Sequence, residues 1–540
     1  MKKLLLVAMA VILFVAIACG TKTSEVLPTV TPTPTPEKEL FCEEVEIKVV
    51  DFGVLNEAKA LIEENSVFQG TAKDQATLFN GALESLFAFL SVSPGAIPQW
   101  AREIVNEELA GGGKDFSVLN KVYEGLVADP AYREFLQEPS QKKDLIQAAI
   151  TGFLDTLKDP FASYISPERW ISFSVEETAG RYRGTGVTLR TNSKGEIMID
   201  GVMAGAPAEK SGLKIRDVIL EVNDKLVKCT IEQFIYKVKS LEDPNLKIKI
   251  RREVAADGNV VDKEMIINLR MEEIKLKHVS SYPVVKLPNG RGDTSEGFPY
   301  KEAIPEDILY IKMKEFTTQA GEDLRTVLTS LDIRKFSGII VDLRSNPGGY
   351  LNVVSEAVDH FLNEGFILTA EGPLYSIKIY LTQGSLWYEY EGQPQVYDQS
   401  DLVPQDIKVA VITGKEPRGQ GLDNSYSAAE VFAGALQDNG RAVIVSREER
   451  TGGKGLVNGS FPLRNGEYGG LYLGIAKFKT PNGQDIEKQD LDRDGYFEIG
   501  GLKPDIQVTW SWEDHQKNGQ DVDYDPTLFA AIDYLRGAAK

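Results

Sequence analysis

From about residue 305 onward, short apolar runs rich in β-branched residues alternate with runs of helical spacing, and this alternation limits the fold more than any other feature. "ILYIKMKEF" reads as a strand, "AGEDLRTVLTSLD" as a helix and "GIIVDLR" as a buried strand. "YLNVVSEAVDHFL" follows as a helix with Leu351, Val354, Val358 and Phe361 on one stripe. Strands and helices in alternation imply an α/β core.

The chain upstream has a different character. Residues 180 to 270 carry short β-branched runs such as "GVTLR", "EIMIDGV", "DVILEVN" and "LKIKIRR" between glycine and Asx turns, the pattern of a small β-rich domain. From about 43 to 170 the spacing is helical. "ATLFNGALESLFAFL" and "KDLIQAAITGFLDTL" resemble each other weakly, and two independent amphipathic helices explain that better than a duplication. "DPFASYISPERW" ends this region, since Asp159 and Pro160 stop the helix. A length of 540 residues is enough for roughly three or four domains of about 150 residues.

The first 42 residues read as targeting and tether. Two lysines precede 15 uncharged, mostly apolar residues, Leu4 to Ala18, too few for the ~20 that a spanning helix needs, so residues 1–18 read as a secretory signal. "AIAC" is similar to a bacterial lipoprotein cleavage box, with Ala16 where Leu is commoner, and makes Cys19 the expected lipidated terminus. Several acyl chains on it give lasting attachment to the outer face of a bacterial cytoplasmic membrane. The Thr/Pro alternation that follows, to about residue 42, forms an extended spacer. The net charge of −20 becomes −22 once Lys2 and Lys3 are removed, which argues against a nucleic-acid groove. In an exported chain Cys42 and Cys229 are free to pair, and two free thiols fit as well.

Chemistry is suggested in three places. "DNSYSAAEVFAGALQDNG" sets Ser425 and Ser427 before an apolar helix, and Ser427 with Glu430 fits a capping box. A hydroxyl at a helix N-terminus also lies beside unpaired N–H groups and the positive end of the dipole, which suits a nucleophile. Of the histidines that could serve it, His278, His360 and His515, none stands in a glycine-rich turn, and each reads as a surface or boundary residue. No "GxSxG" elbow or "HExxH" helix is present. A neutral lysine is the other base. "ERTGGKGLVNGSFPL" places Lys454 between glycines, and serving near pH 7 requires its pKa to fall by about three units, roughly 4 kcal/mol of lost cation solvation. Finally, "VDLRSNPGGYL" runs from a buried strand through Gly348 and Gly349 into a helix, leaving backbone N–H groups accessible as an oxyanion hole requires.

Two resemblances join these pieces. "GTGVTL", "GAPAEKSGLKIRDVILEVNDKLV" and "TIEQFIYKVKSL" resemble a PDZ domain in order and spacing, with Arg216 where Gly usually precedes the Asp. That resemblance implies that Gly184, Thr185, Gly186 and Val187 capture a peptide's C-terminal carboxylate. Taken with "VDLRSNPGG", "SYSAAEVFAGALQDNGRAVIV", "GGKGLV", "KFKTPNGQDI" and "GLKPDIQV", residues 145 to 510 resemble the carboxyl-terminal processing, or tail-specific, protease family. The family implies a crotonase-like α/β core with a Ser/Lys dyad: Ser427 as nucleophile, Lys454 as general base, and an oxyanion hole from Ala428 with Gly348 or Gly349. Asn458 stands where many members carry an amine-orienting Gln, and "SREERTGGKG" is about two residues longer than usual.

The expected organisation is therefore a signal at 1–18, a lipidated linker at 19–42, a helical domain at 43–172, a PDZ domain at 173–272 and the protease core at 273–540. The expected activity is endoproteolysis of exported proteins with accessible C-terminal tails, without a cofactor, with an activating partner or self-association left open. An inactive tail-binding scaffold and a Ser/His hydrolase are the rival readings. Asp490, Asp492, Asp494 and Gly495 echo a calcium loop, but its twelfth position is Gly501 rather than Glu, so the stretch reads as a polar surface insertion and no metal is expected.

Overall fold

The computed structural model describes residues 38–42, 51–68, 74–137, 139–157, 159–167, 169–170, 182–203, 205–256, 259–274, 279–283, 285, 303–374, 376–398, 401–417, 422, 424–488, 500–521 and 523–537. Cys19, His278 and the 490–495 acidic run lie outside them. The alternation read from 305 onward becomes a six-stranded sheet in the order Val279–Tyr282, Ile308–Met313, Gly338–Asp342, Lys408–Thr413, Ala442–Ser446, Ile506–Gln507. All its neighbours after the first, antiparallel pair are parallel. Parallel strands need both faces covered. The helices Thr318–Ser330, Leu351–Asp359 and Ala428–Asp438 contribute to the apolar cluster on one side, and Pro526–Leu535 covers the other through Leu528, Ala531, Ile532 and Leu535.

A second, seven-stranded sheet runs Ser163–Ile165, Gly470–Lys479, Gly365–Glu371, Ser376–Thr382, Ser385–Tyr390, Gln393–Asp398, with Leu456–Pro462 also paired to Gly470–Lys479. Its first strand comes from the end of the N-terminal region, in the register Ser163↔Tyr472. The two amphipathic runs form helices Gln75–Phe89 and Pro139–Asp155. They touch backbone to backbone at a glycine pair: a Cβ on Gly81 would lie 2.6 Å from the Gly152 carbonyl oxygen, and one on Gly152 would lie 2.2 Å from that of Gly81. The apolar cluster around them also takes in Leu463, Tyr468, Leu471 and Leu473 from the second sheet. The helical region is thus packed on the strand Gly470–Lys479 and the connection leading into it.

The β-rich part forms a sheet in the order Val187–Thr191, Ile197–Val202, Val218–Val222, Asn245–Ala256, Asn259–Arg270, with the helix Ile231–Ser240 opened by a complete Thr230/Gln233 capping box. Cys42 and Cys229 are joined by a disulfide, and Phe41 is buried in this domain's core against Phe234, its N–H bonded to the Leu226 carbonyl at 2.8 Å.

Arg216, the departure from the PDZ pattern, has φ of +76°. Glycine is usual at such a position because a Cβ in the left-handed region costs roughly 1–2 kcal/mol. The Arg216–Glu253 ion pair at 3.4 Å is largely exposed and offsets little of this. Arg216→Gly is therefore expected to stabilise this domain by about 1 kcal/mol once glycine's extra chain entropy is deducted, read as a higher urea midpoint. An unchanged or lower midpoint would contradict the strain argument.

Candidate active site

Ser427 ends a loop and begins the helix Ala428–Asp438 with φ of +54° and ψ of −118°. A non-glycine residue held there is strained, and such strain persists only where surroundings enforce it. Glu430 is a large part of that enforcement. It is fully buried, and its Oε2 accepts the Ser427 N–H at 2.9 Å, the carboxylate half of the expected capping box. The same Oε2 accepts the Lys454 N–H at 2.8 Å, while Oε1 accepts the Gly453 N–H at 2.8 Å and the Thr451 hydroxyl at 2.5 Å. The Glu430 carboxylate is thus more than a helix cap, since it draws the main chain at 427 and at 454 to one atom.

Further bonds join the two loops. The Asn424 amide donates to the Arg450 carbonyl at 2.8 Å and the Gly452 N–H to the Ser425 carbonyl at 2.8 Å. Gly452 lies so close to the Tyr426 ring that a Cβ would come within 2.1 Å of it. Ahead of Lys454 the chain bends at 447–450, where Arg447 pairs with Glu448 at 3.0 Å.

Ser425 is occupied otherwise. It is buried, its hydroxyl donates to the Leu343 carbonyl at 2.8 Å and accepts the Gly414 N–H at 3.0 Å. His360 corrects the surface reading given to it: it is 3% exposed at the C-cap of the helix Leu351–Asp359, its carbonyl bonded by Leu402 and Val403 N–H groups. His515 is exposed, its ring 5.2 Å from that of Trp510.

The "SNPGG" turn lies against Ser427. A Cβ on Gly348, whose φ is +104°, would be 2.7 Å from the Ser427 Cβ and 2.9 Å from the Ala428 nitrogen, so only glycine fits there. The Gly348 N–H donates to Asn346 Oδ1 at 2.8 Å. Its part is therefore close approach, and its own N–H is already engaged. Among the described residues neither the Gly349 nor the Ala428 N–H has a hydrogen-bond partner. The strand leading into the turn is fixed from behind. Buried Arg344 is bonded to Asp342, with Nε to Oδ2 at 3.0 Å, and to Asp525, whose other oxygen caps the helix Pro526–Leu535.

The Lys454 side chain lies in a pocket the sequence did not disclose. Its Nζ is 4.8 Å from the centre of the Phe161 ring and 5.6 Å from that of Tyr472. Burial lowers its pKa from the ordinary lysine value, and the carboxylates of Asp159, Glu487 and Glu430 oppose that in part. Glu487 is 4% exposed; its Oε2 accepts the Gly455 N–H at 2.7 Å, its Oε1 has no partner among the described residues, and burial pushes its pKa up to about 7 against the pull of that N–H. Asn458 stands opposite Gly474 in the sheet, and its Nδ2 is buried without a hydrogen-bond partner among the described residues.

In the β-rich domain the loop Gly184–Val187 packs on the following turn through its carbonyls. That of Thr185 accepts the Ala208 N–H at 2.9 Å and that of Gly186 accepts the Met203 N–H at 2.8 Å. Gly186 has φ of +77°, and a Cβ there would lie 2.2 Å from that of Ala206. The next strand, Val187–Thr191, is at the edge of its sheet.

A serine strained at a helix N-terminus, a partly buried lysine and two unengaged N–H groups on an α/β core fit a hydrolase of acyl groups. Residues 307–508 match the model of Peptidase family S41, and residues 198–252 match that of a PDZ domain, beginning just after the 184–187 loop. The chain is a serine peptidase with an S41-like region at 307–508 and a PDZ domain. It is similar to the carboxy-terminal processing protease CtpB of Bacillus subtilis (strain 168), 27% identical over 410 residues that cover 74% of this chain and 73% of that protein. It is likewise similar to the carboxyl-terminal-processing protease of Synechocystis sp., 27% identical over 366 residues covering 68% of this chain and 74% of that one. The photosystem II D1 C-terminal processing protease aligns with a TM-score of 0.39 at 20% identity, covering 86% of this chain and 94% of that chain.

Proposed function

We propose that this chain is an endopeptidase that holds the C-terminal tail of exported protein substrates in its PDZ domain and cleaves them with a Ser427/Lys454 dyad. The observation that carries this reading is the single Glu430 oxygen shared by the Ser427 and Lys454 N–H groups. The neutral Lys454 amine takes the hydroxyl proton as Ser427 Oγ attacks the scissile carbonyl, and the oxyanion forms against the Gly349 and Ala428 N–H groups. The lysine ammonium then protonates the leaving amine, and water, deprotonated by the amine again neutral, releases the acyl group from the serine.

Tail capture is supported by the edge position of Val187–Thr191, to which a peptide adds as a further strand with its carboxylate at the Gly184–Val187 loop. Tethering the tail raises the local concentration of cleavable chain at Ser427. In this reading Cys19 is lipidated and the Thr/Pro stretch holds the enzyme off the outer face of a bacterial membrane. The Cys42–Cys229 disulfide supports an oxidising compartment.

An unfolded reporter with a free apolar C-terminus is expected to be cleaved about tenfold faster than the same reporter with an amidated end, and a fluorophosphonate probe to label Ser427 in peptide mass analysis. Equal rates for both ends would remove tail capture. No cleavage of either, with no label, would leave a tail-binding scaffold.

A further inference from the structure

We propose that Phe161, held in place by Asp159, is a positioning residue for the reaction: it closes the pocket of the Lys454 amine and so couples docking of the N-terminal helical region to catalysis. The proposal rests on the reading of Lys454 as the base. Its geometry is independent of that reading. Phe161 and Asp159 lie just beyond the helix Pro139–Asp155, almost three hundred residues before Lys454, yet the Phe161 ring centre is 4.8 Å from Nζ. Asp159 is 8% exposed and has two engagements: Oδ1 accepts the Phe161 N–H at 2.9 Å, and Oδ2 accepts the Gly474 N–H at 3.0 Å. The carbonyl of the same Gly474 accepts the Val67 N–H at 2.9 Å, from the end of the helix Val54–Asn65. Both polar groups of one residue on the strand beneath the lysine are therefore bound by the N-terminal region. Tyr472, the other ring beside Nζ, pairs with Ser163 of that region.

What the ring does to the amine follows from two opposed effects. A ring face attracts a cation, which favours the charged lysine. Excluding water disfavours the charged form by up to about 3–5 pKa units in full burial, a larger effect. Desolvation wins, in keeping with the direction in which the amine is shifted. The charged groups facing the amine are Asp159 from the N-terminal segment, Glu430 from the serine helix and Glu487 from the 485–488 segment, with Lys477 acting on Glu487 in turn. Removing the Phe161 ring admits water and lets the lysine hold its proton more strongly. Removing the Asp159 charge has the opposite effect.

The test is the pH profile of kcat/KM, from pH 6 to 10, of the full chain on a tail-bearing unfolded reporter, for wild type, Phe161→Ala, Phe161→Leu and Asp159→Asn. The acid limb reports deprotonation of the base in the free enzyme. For Phe161→Ala it is expected to move up by about one pH unit, lowering the rate at pH 7 about tenfold while the plateau above pH 9 stays near that of wild type. Phe161→Leu, still apolar, is expected to stay within about 0.3 unit of wild type. Asp159→Asn is expected to move the limb down by about half a unit or more. A merely structural role lowers the rate equally at all pH and moves neither limb, and that result, or a downward shift in Phe161→Ala, would overturn the proposal. Should Phe161→Ala fail to fold, Phe161→Gln, which keeps bulk but admits water, is expected to move the limb up as well and decides in its place. Loss of activity in Lys454→Ala together with unmoved limbs would reject this proposal and keep the dyad, whereas an active Lys454→Ala would reject the dyad itself.

Discussion

Ser427→Ala and Lys454→Ala are each expected to lower cleavage of an unfolded reporter by roughly 10⁴-fold or more, with the double variant no worse than either single one, because groups that act as a unit are not additive. The serine change removes the attacking oxygen while leaving the Ala428 and Gly349 N–H groups in place, so the residual rate reports what the oxyanion hole does alone. The lysine change leaves the Glu430 network intact, since that network uses the main chain of residue 454 and not its amine. Lys454→Arg is expected to be as inactive as Lys454→Ala despite keeping length and charge, because a guanidinium cannot give up its proton near pH 7. Single-turnover rates of acyl release on each variant would check this. A dead Ser427→Ala beside an active Lys454→Ala would require another base. His360 lines a pocket with Thr318, Arg325 and Glu356 that Ser427 does not line, and His515 is exposed beside Trp510, so neither is an evident substitute.

Much of this site was legible because its parts are local. The α/β core followed from the alternation of strands and helices after 305, and the candidacy of Ser427, Lys454 and the two glycines followed from what helix N-termini and glycine turns make available. Within the serine loop, the S-x-x-E spacing identified Glu430 correctly as a cap. It could not show that the same carboxylate also serves the main chain of 451–454, since nothing in a capping box implies a partner more than twenty residues away. "DPFASY" was read as a helix stop, which it is, but its role at the Lys454 amine depends on the helical region packing against Leu471 and Leu473. Nothing in the sequence sets Glu487 apart from other carboxylates, and only burial distinguishes it. His360 was misjudged for the same reason: its neighbours Leu402 and Val403 arrive from a distant segment.

Glu430 is the position where sequence change is expected to damage the fold most. Glu430→Ala strands four donors around what was a fully buried carboxylate: the Ser427, Gly453 and Lys454 N–H groups and the Thr451 hydroxyl. Each buried donor left unpaired costs about 1–3 kcal/mol, and relaxation recovers part of the sum, so a loss of about 4 kcal/mol or more is expected, a large share of a typical domain's stability. Glu430→Gln keeps one acceptor but turns an NH₂ toward groups that also donate, and a loss of about 2 kcal/mol is expected. Both variants also differ from wild type in pH dependence. Burial raises the Glu430 pKa, although the donors around it pull the other way. A carboxyl raised in the folded state contributes stability that is complete below its ordinary value and is lost as pH rises through the folded one. Wild type is therefore expected to lose stability with rising pH, an effect Glu487, pushed up to about 7, adds to. In the proposed mechanism the Lys454 amine must be neutral to act, so activity rises with pH while stability falls. Glu430→Gln removes its part of the stability slope while disrupting the loop that carries Lys454, so its urea midpoint should vary less between pH 5 and 8 than that of wild type, with cleavage reduced at every pH. A variant as active as wild type, or one whose stability slope is unchanged, would show that Ser427 and Lys454 are held together by something other than this carboxylate.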